Sequence, residues 1–469
     1  MTDAADAVAV HPAAVEPAEA ASVAVHPVDE VLPLPKLIAL GLQHVLVMYA
    51  NSVAVPLIVG GALHLPKDQI AMLINADLFA CGIATLIQTV GFGPFGIRLP
   101  IMMGVTAVAI SPMMAMAAMP GVGLTGIYGA VLVGGLFGLC VTPFVKHVLR
   151  FFPAVVTGTI ITMIGVVLMR VGINWAGGGT GAADFGAAGY LSIAALVLVT
   201  ILLILRFATG FLQNLAVLLG IALGYVVTLA LGWADVGGIQ NEPLLRIVLP
   251  LQFGVPQFYL VPCVTMCVVV TIVFIEATGM FLALGNMTGR TVEAEDVKRG
   301  LRADALGTII GGIFNTFPYV SYSQNIGLVG VTGVWSRWVC VAGGLIMLTL
   351  GLIPRLAYVV ASVPLYVLGG AAIMMFGMVA ATGIKILSTV DFRDRNNVFV
   401  VATAIGFGLI PIVAPTFFRI FPDQLKPIFG DGIILTSIVA VGLNAFFNHT
   451  TREQAQADAF VAAQAAEHI

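Results

Sequence analysis

FNTFPYVSYSQNIGLVGVTG, residues 314–333, is apolar enough to enter a bilayer but cannot cross one as a continuous helix. Pro318 lacks a backbone donor and breaks a helix arriving from Phe314. Tyr319, Val320 and Tyr322 then favour extended backbone. Only after them does Gln324-Asn325 open a run spaced by Gly327, Gly330 and Gly333. The stretch reads as a short extended segment leading into a half-helix. Irregular backbone at membrane depth is tolerated only where it is buried in protein or lines a cavity, so a binding site is expected here. The helix start offers free N–H groups and a positive dipole end. Gln324 adds a donor and an acceptor on one amide, which suits the edge of a heterocycle.

The surrounding chain makes the membrane reading general. Of 469 residues 59% are apolar and 9% charged, with a mean hydropathy of +1.06. A soluble domain carries roughly 25% charge, so an ordinary cytosolic or secreted globular protein is excluded. The net charge of -3 excludes a basic nucleic-acid footprint. The 53 glycines exceed the usual ~7% and suit tightly packed or broken transmembrane helices. Cys81, Cys140, Cys263, Cys267 and Cys340 all lie in apolar stretches, so they are read as packing residues, with no disulfide framework and no metal site.

Residues 1–33 are rich in Ala, Val, Pro and Glu and lack the basic start of a signal peptide. They are expected to form a disordered cytoplasmic tail, and 449–469 a second cytoplasmic tail. At about 20 residues per crossing, residues 34–448 predict fourteen spans: 36–60, 69–90, 101–117, 124–145, 153–172, 189–205, 211–231, 260–284, 303–316, 324–334, 338–353, 364–386, 397–413 and 432–448. With the N-terminus inside, fourteen Lys and Arg fall on the cytoplasmic side and six outside, which supports both termini being cytoplasmic. Seven spans plus seven predict two inverted repeats. The short third and tenth spans then occupy equivalent places, and paired broken segments of this kind point to a transporter's binding site. Gly104-Val105-Thr106 recurs as Gly330-Val331-Thr332, a weak echo in so glycine-rich a chain.

Ionisable groups inside spans cost about 2.5–3.5 kcal/mol on insertion scales and are functional candidates by default. Away from the loops they are His44, Asp77, Glu276 and Asp304. Glu276 lies mid-helix with no basic residue within a turn; it either binds substrate donors, carries a proton, or simply bonds a carbonyl in the bundle. Asp304 follows Lys298, Arg299 and Arg302 and reads equally well as a helix-start acid favoured by the macrodipole. His44, beside Gln43, is a polar linker across the bundle or a protonatable gate. Asp77 is taken as structural.

Gln324-Asn325-Ile326-Gly327 continuing to Thr332-Gly333 resembles the signature of the nucleobase/ascorbate transporter family, also called nucleobase:cation symporter-2. Gln43-His44, Glu276 with Gly279, and Asp304 stand where that family has its characteristic residues, over about 34–448. The resemblance implies an all-α polytopic membrane protein with fourteen spans in two inverted seven-span repeats and short strands in spans 3 and 10. Spans 1–4 and 8–11 would form a core domain and spans 5–7 and 12–14 a gate domain that also makes a homodimer interface. It also implies that Glu276 and Gln324 hold a heterocycle, that Thr106, Asn325 and Gly327 belong to the substrate site, and that Asp304 and His44, with Glu276, serve proton coupling or gating.

Within the family, Gln43–Tyr49 and Gly279–Gly285 look most like the bacterial urate and xanthine permeases. Thr106 stands where urate-type members have Thr, whereas Thr332-Gly333 departs from their Thr-Arg; Thr106, Thr332 and Gly333 are therefore the specificity positions. The expected activity is proton symport of xanthine and/or urate across a bacterial inner membrane. No cofactor other than the proton is expected, no metal and no catalytic residue. No nucleotide-binding loop is present to supply ATP energy, and no His-Glu-x-x-His motif supports an enzyme. A uracil or other nucleobase permease, or an uncoupled facilitator, are the alternatives.

Overall fold

The computed structural model describes residues 26–145, 151–179, 182–234, 237–422 and 426–448. Its helices are α1 (Leu34–Ala62), α2 (Lys67–Val90), α3 (Ile110–Ala117), α4 (Gly123–Val141), α5 (Ala154–Ala176), α6 (Ala188–Phe207), α7 (Ala216–Ala230) and α8 (Leu260–Thr288). They continue with α9 (Ala294–Ile313), α10 (Ser323–Thr332), α11 (Arg337–Leu350), α12 (Pro354–Ala361), α13 (Leu365–Leu387), α14 (Arg395–Val413) and α15 (Gly432–Phe447). Two strands, β1 (Met103–Val105) and β2 (Tyr319–Ser321), interrupt them. Among the described residues, α1, α2, α4, α5, α6, α8, α13 and α14 are each long and apolar enough to cross a membrane unaided. The chain is thus a multi-pass, predominantly helical membrane protein. α11 and α12 make a broken pair bent by 83° at Gly351–Ile353.

Two expected boundaries move. The ninth span, expected at 303–316, is α9 and begins at Ala294, so Lys298, Arg299 and Arg302 lie inside the helix rather than before it. A capping box starts it there: the Glu293 N–H donates to Asp296 Oδ2 at 3.1 Å while the Glu293 side chain takes an N–H of the first turn. The last part of the expected N-terminal tail is also folded. Pro27–Asp29 form a 3-10 turn with Val28 buried, and Asp29 pairs with Arg290 at 3.3 Å and Arg337 at 2.7 Å. Residues 1–25 and 449–469 lie outside the described residues.

Helix packing divides the bundle. α1, α2, α8 and α9 pack on the two strands, with α4 against α8 and α9 and α11 against α1 and α2, while α5, α6, α7, α13, α14 and α15 pack chiefly on one another. The pairings repeat: α2 packs on α11 as α9 does on α4, and α6 on α7 as α14 on α15. Glycines let backbones touch where the two halves meet in the second group. A Cβ at Gly165 would collide with the backbone of Ala380, one at Gly383 with Thr162, and one at Gly369 with Ala176. Without a hydrophobic drive between helices in lipid, this close approach is the main source of packing energy.

Candidate functional site

β1 and β2 pair antiparallel, with Met103 opposite Ser321, Gly104 opposite Val320 and Val105 opposite Tyr319. The ladder is extended by Thr106 N–H donating to the Pro318 carbonyl and Tyr322 N–H to the Met102 carbonyl, both at 2.9 Å. Gly104 is needed at the crossing because the Tyr322 ring lies where its Cβ would stand. Six strand residues make too small a sheet to stand alone, and helices hold it. Thr85 Oγ1 of α2 accepts the Met103 N–H at 2.9 Å; Thr308 Oγ1 of α9 accepts the Tyr319 N–H at 3.1 Å. The first residue of each strand is thus held by a threonine from the helix before it.

β2 receives more support than β1. Asp304 Oδ1 accepts from Ser321 Oγ at 3.1 Å and from Gln88 Nε2 at 2.8 Å. Gln88 also donates to the Gly300 carbonyl at 3.1 Å and accepts the Ile97 N–H at 3.1 Å. Asp304 lies ten residues beyond the first residue of α9, so the helix-start reading is corrected. Arg302 turns instead to Glu295 at 3.2 Å. At the other end of β2, Asp77 Oδ1 accepts from Thr316 Oγ1 at 2.9 Å and Tyr319 OH at 2.8 Å.

After each strand a helix begins. Thr106 is buried and caps the 3-10 turn Ala107–Ala109 that leads into α3, its Oγ1 accepting the Val108 N–H at 3.2 Å. Gln324 is the second residue of α10 and is exposed, whereas its neighbour Asn325 is buried. Asn325 Nδ2 donates to His44 Nδ1 at 2.9 Å and to the His44 carbonyl at 3.2 Å, so His44 joins α1 to α10 as a neutral acceptor. Glu276 lies in α8, which packs against β2, the 3-10 turn and α10. It is half-buried, and no hydrogen bond or ion pair reaches it among the described residues.

The strand crossing therefore gathers Thr106, Asp304, Gln324, Asn325 and His44, with the helix that carries Glu276 packed against it. Gly327 lies along α10 with open space where a Cβ would stand. Thr332 and Gly333 are not gathered: Thr332 donates to the Leu328 carbonyl at 2.8 Å, and Gly333 is the left-handed residue ending α10 at φ +62°. At 1.5 Å per residue Gly333 lies about 13 Å along the helix from Gln324. Thr85, Gln88, Thr308 and Ser321 escaped the sequence reading; their signal is a polar side chain recurring in an otherwise apolar run.

A permease family model matches residues 35–417. The uric acid transporter UacT of Escherichia coli (strain K12) is 49% identical over 423 residues, covering 90% of this chain and 88% of that protein. The xanthine permease of Bacillus subtilis (strain 168) is 40% identical, covering 88% of this chain and 94% of that one. Among solved structures, the transmembrane domain of a cyanobacterium bicarbonate transporter, BicA, superposes with a TM-score of 0.53 at 15% identity, covering 88% of this chain and 98% of that one. SLC26A9 gives 0.56 at 13% identity, covering 88% and 66%. These structures share the fold, and the sequence relatives are transporters rather than enzymes. With a family model spanning most of its length and relatives of such identity over nine-tenths of it, the chain belongs to the nucleobase/ascorbate permease family, in the branch of bacterial uric acid and xanthine permeases.

Proposed function

We propose that this protein is a proton-coupled symporter that imports an oxidised purine, xanthine and/or urate, across the bacterial inner membrane. The observation that carries the reading is Gln324 standing exposed at the start of a half-helix, at a strand crossing bordered by the helix of the half-buried Glu276. The relatives' substrates agree with it. An oxidised purine presents alternating N–H and C=O groups. The Gln324 amide matches one such edge with one donor and one acceptor, and the Glu276 carboxyl takes an N–H on another. Asn325 and His44 hold the helix start, and Asp304 holds the strand before it.

Fourteen spans in inverted repeats, both termini cytoplasmic, suit this reading. The matched threonines at Met103 and Tyr319 support the repeat. The group around the strands acts as the moving core, with the other group as the gate and homodimer face. Moving one proton down the membrane potential supplies about 2.3 kcal/mol per 100 mV, roughly a fifty-fold accumulation.

Two acids can carry that proton. Glu276 lies on the helix that borders the site; Asp304 keeps Oδ2 buried and without a hydrogen-bond partner among the described residues. The deciding experiment is uptake of labelled xanthine, urate, uracil and ascorbate by cells expressing the chain, with and without an uncoupler. Saturable, uncoupler-sensitive uptake of xanthine or urate is expected. Uptake of uracil alone would overturn the substrate class, and uptake indifferent to the uncoupler would leave a facilitator.

A further inference from the structure

Asp77 has no part in the binding scheme above, yet it is almost fully buried in α2 and makes a polar cluster of its own. Its Oδ1 accepts from Thr316 Oγ1 at 2.9 Å and from Tyr319 OH at 2.8 Å, and the Tyr319 OH also lies 3.0 Å from the Asp77 carbonyl. Cys81 Sγ, one turn on, sits 3.8 Å from both carboxyl oxygens. Every one of these partners is neutral, and among the described residues no cation pairs with the acid. A buried carboxyl group tied only to neutral donors is costly in a membrane, and plain packing in this position would be served as well by an apolar residue.

What the cluster grips is the prolyl break itself. Thr316 and Tyr319 flank Phe317-Pro318, where no backbone N–H is available from the proline to fix the chain. Thr308 fixes the Tyr319 N–H from α9, while Asp77 fixes the Tyr319 phenol from α2. The Tyr319 ring closes on Gly311, leaving no room for a Cβ there. Tyr319 is therefore held at its backbone and at its tip by two different helices. Five residues later stands Gln324, with only strand and helix cap between them. No comparable acid grips β1 among the described residues.

We infer that Asp77 is a positioning residue for the purine site, acting through Thr316 and Tyr319 to set where the start of α10, and hence Gln324, stands. This rests on the reading that Gln324 contacts substrate. Small displacements of a positioned group cost far more than their size suggests, so loosening the clamp weakens substrate recognition before it weakens the fold.

The test compares Tyr319→Phe, Thr316→Val, the double variant, Asp77→Asn and Gln324→Ala, measuring membrane amount, KM and maximal rate of xanthine and urate uptake, and binding by purified protein. Tyr319→Phe and Thr316→Val each keep shape and remove the hydroxyl that reaches Asp77; each should raise KM about three- to ten-fold with membrane amount and maximal rate within two-fold. The double variant should exceed either, and Asp77→Asn, which retains an acceptor oxygen, should stay within three-fold of the parent. Loss of maximal rate and membrane amount with KM unchanged would make Asp77 a folding residue and overturn the inference. Unchanged KM in Tyr319→Phe and the double variant, alongside weakened binding in Gln324→Ala, overturns it while the purine site stands. Unchanged binding in Gln324→Ala overturns the site reading itself.

Discussion

Ser321, the last residue of β2, donates to Asp304 of α9 at 3.1 Å, and the same carboxylate oxygen takes the Gln88 amide of α2 at 2.8 Å. Asp304 is therefore a joint between two helices and the strand that precedes the half-helix. Its second oxygen is buried and without a hydrogen-bond partner among the described residues.

That division of labour predicts how the two acids respond to neutralisation. Glu276→Gln keeps hydrogen-bonding capacity but cannot titrate, so it should bind purine at least weakly and lose uphill, uncoupler-sensitive accumulation. Asp304→Asn retains an acceptor for Ser321 and Gln88. Accumulation and proton flux measured together decide the assignment: full proton-coupled uptake in Glu276→Gln and none in Asp304→Asn would move the coupling role to Asp304.

Removing the Gln324 amide leaves a polar edge of the substrate unpaired, a loss of about 1–3 kcal/mol. Gln324→Ala should therefore bind xanthine or urate at least several-fold more weakly while reaching the membrane normally. Equilibrium binding to the purified protein measures this directly, and an unchanged dissociation constant would mean that the amide does not touch substrate.

Thr85 and Thr308 each satisfy a strand N–H that nothing else in the site accepts. Replacing either by Val keeps shape and orphans one buried donor, costing about 1–3 kcal/mol. Because the two contacts repeat the same geometry, Thr85→Val and Thr308→Val should lower the melting temperature in detergent by similar amounts. A drop confined to one of them would show that the two strands are not equivalent in their support.

Gly333 combines a left-handed backbone with open space at its Cβ. Substitutions there separate conformational strain from the side chain added. Gly333→Asn tolerates that backbone and should leave the xanthine-to-urate uptake ratio within two-fold, whereas Gly333→Arg should shift the ratio. Competition uptake with both purines provides the comparison; equal ratios in both variants would reduce Gly333 to a helix terminator.

The broken tenth span was legible because Pro318 and the glycine spacing are local signals, and its helix begins within one residue of the expected Gln324. The boundary of α9 was less so. Its charged first half hides a helix start from hydropathy, although Glu293 and Asp296 carry the capping pattern in plain sight. A linker was one of two readings open for His44, beside a protonatable gate, but nothing in sequence names Asn325 as its partner 281 positions away. Asp77 was read as merely structural for the same reason: its meaning depends on Thr316 and Tyr319, which lie far along the chain and reach it only through the fold.

The pairing of β1 with β2 also fixes an order of events during synthesis. Met103 and its partner Ser321 are separated by more than two hundred residues, and at about 5–20 residues per second the second strand emerges roughly 10–40 s after the first. Through that interval β1 has no ladder partner, and bare strand backbone in hydrocarbon is costly. The Thr85 contact to Met103 comes from the segment made just before it and is ready at once. The first half thus enters the membrane as a guarded vacancy, and the site is completed late, by the second half closing over it.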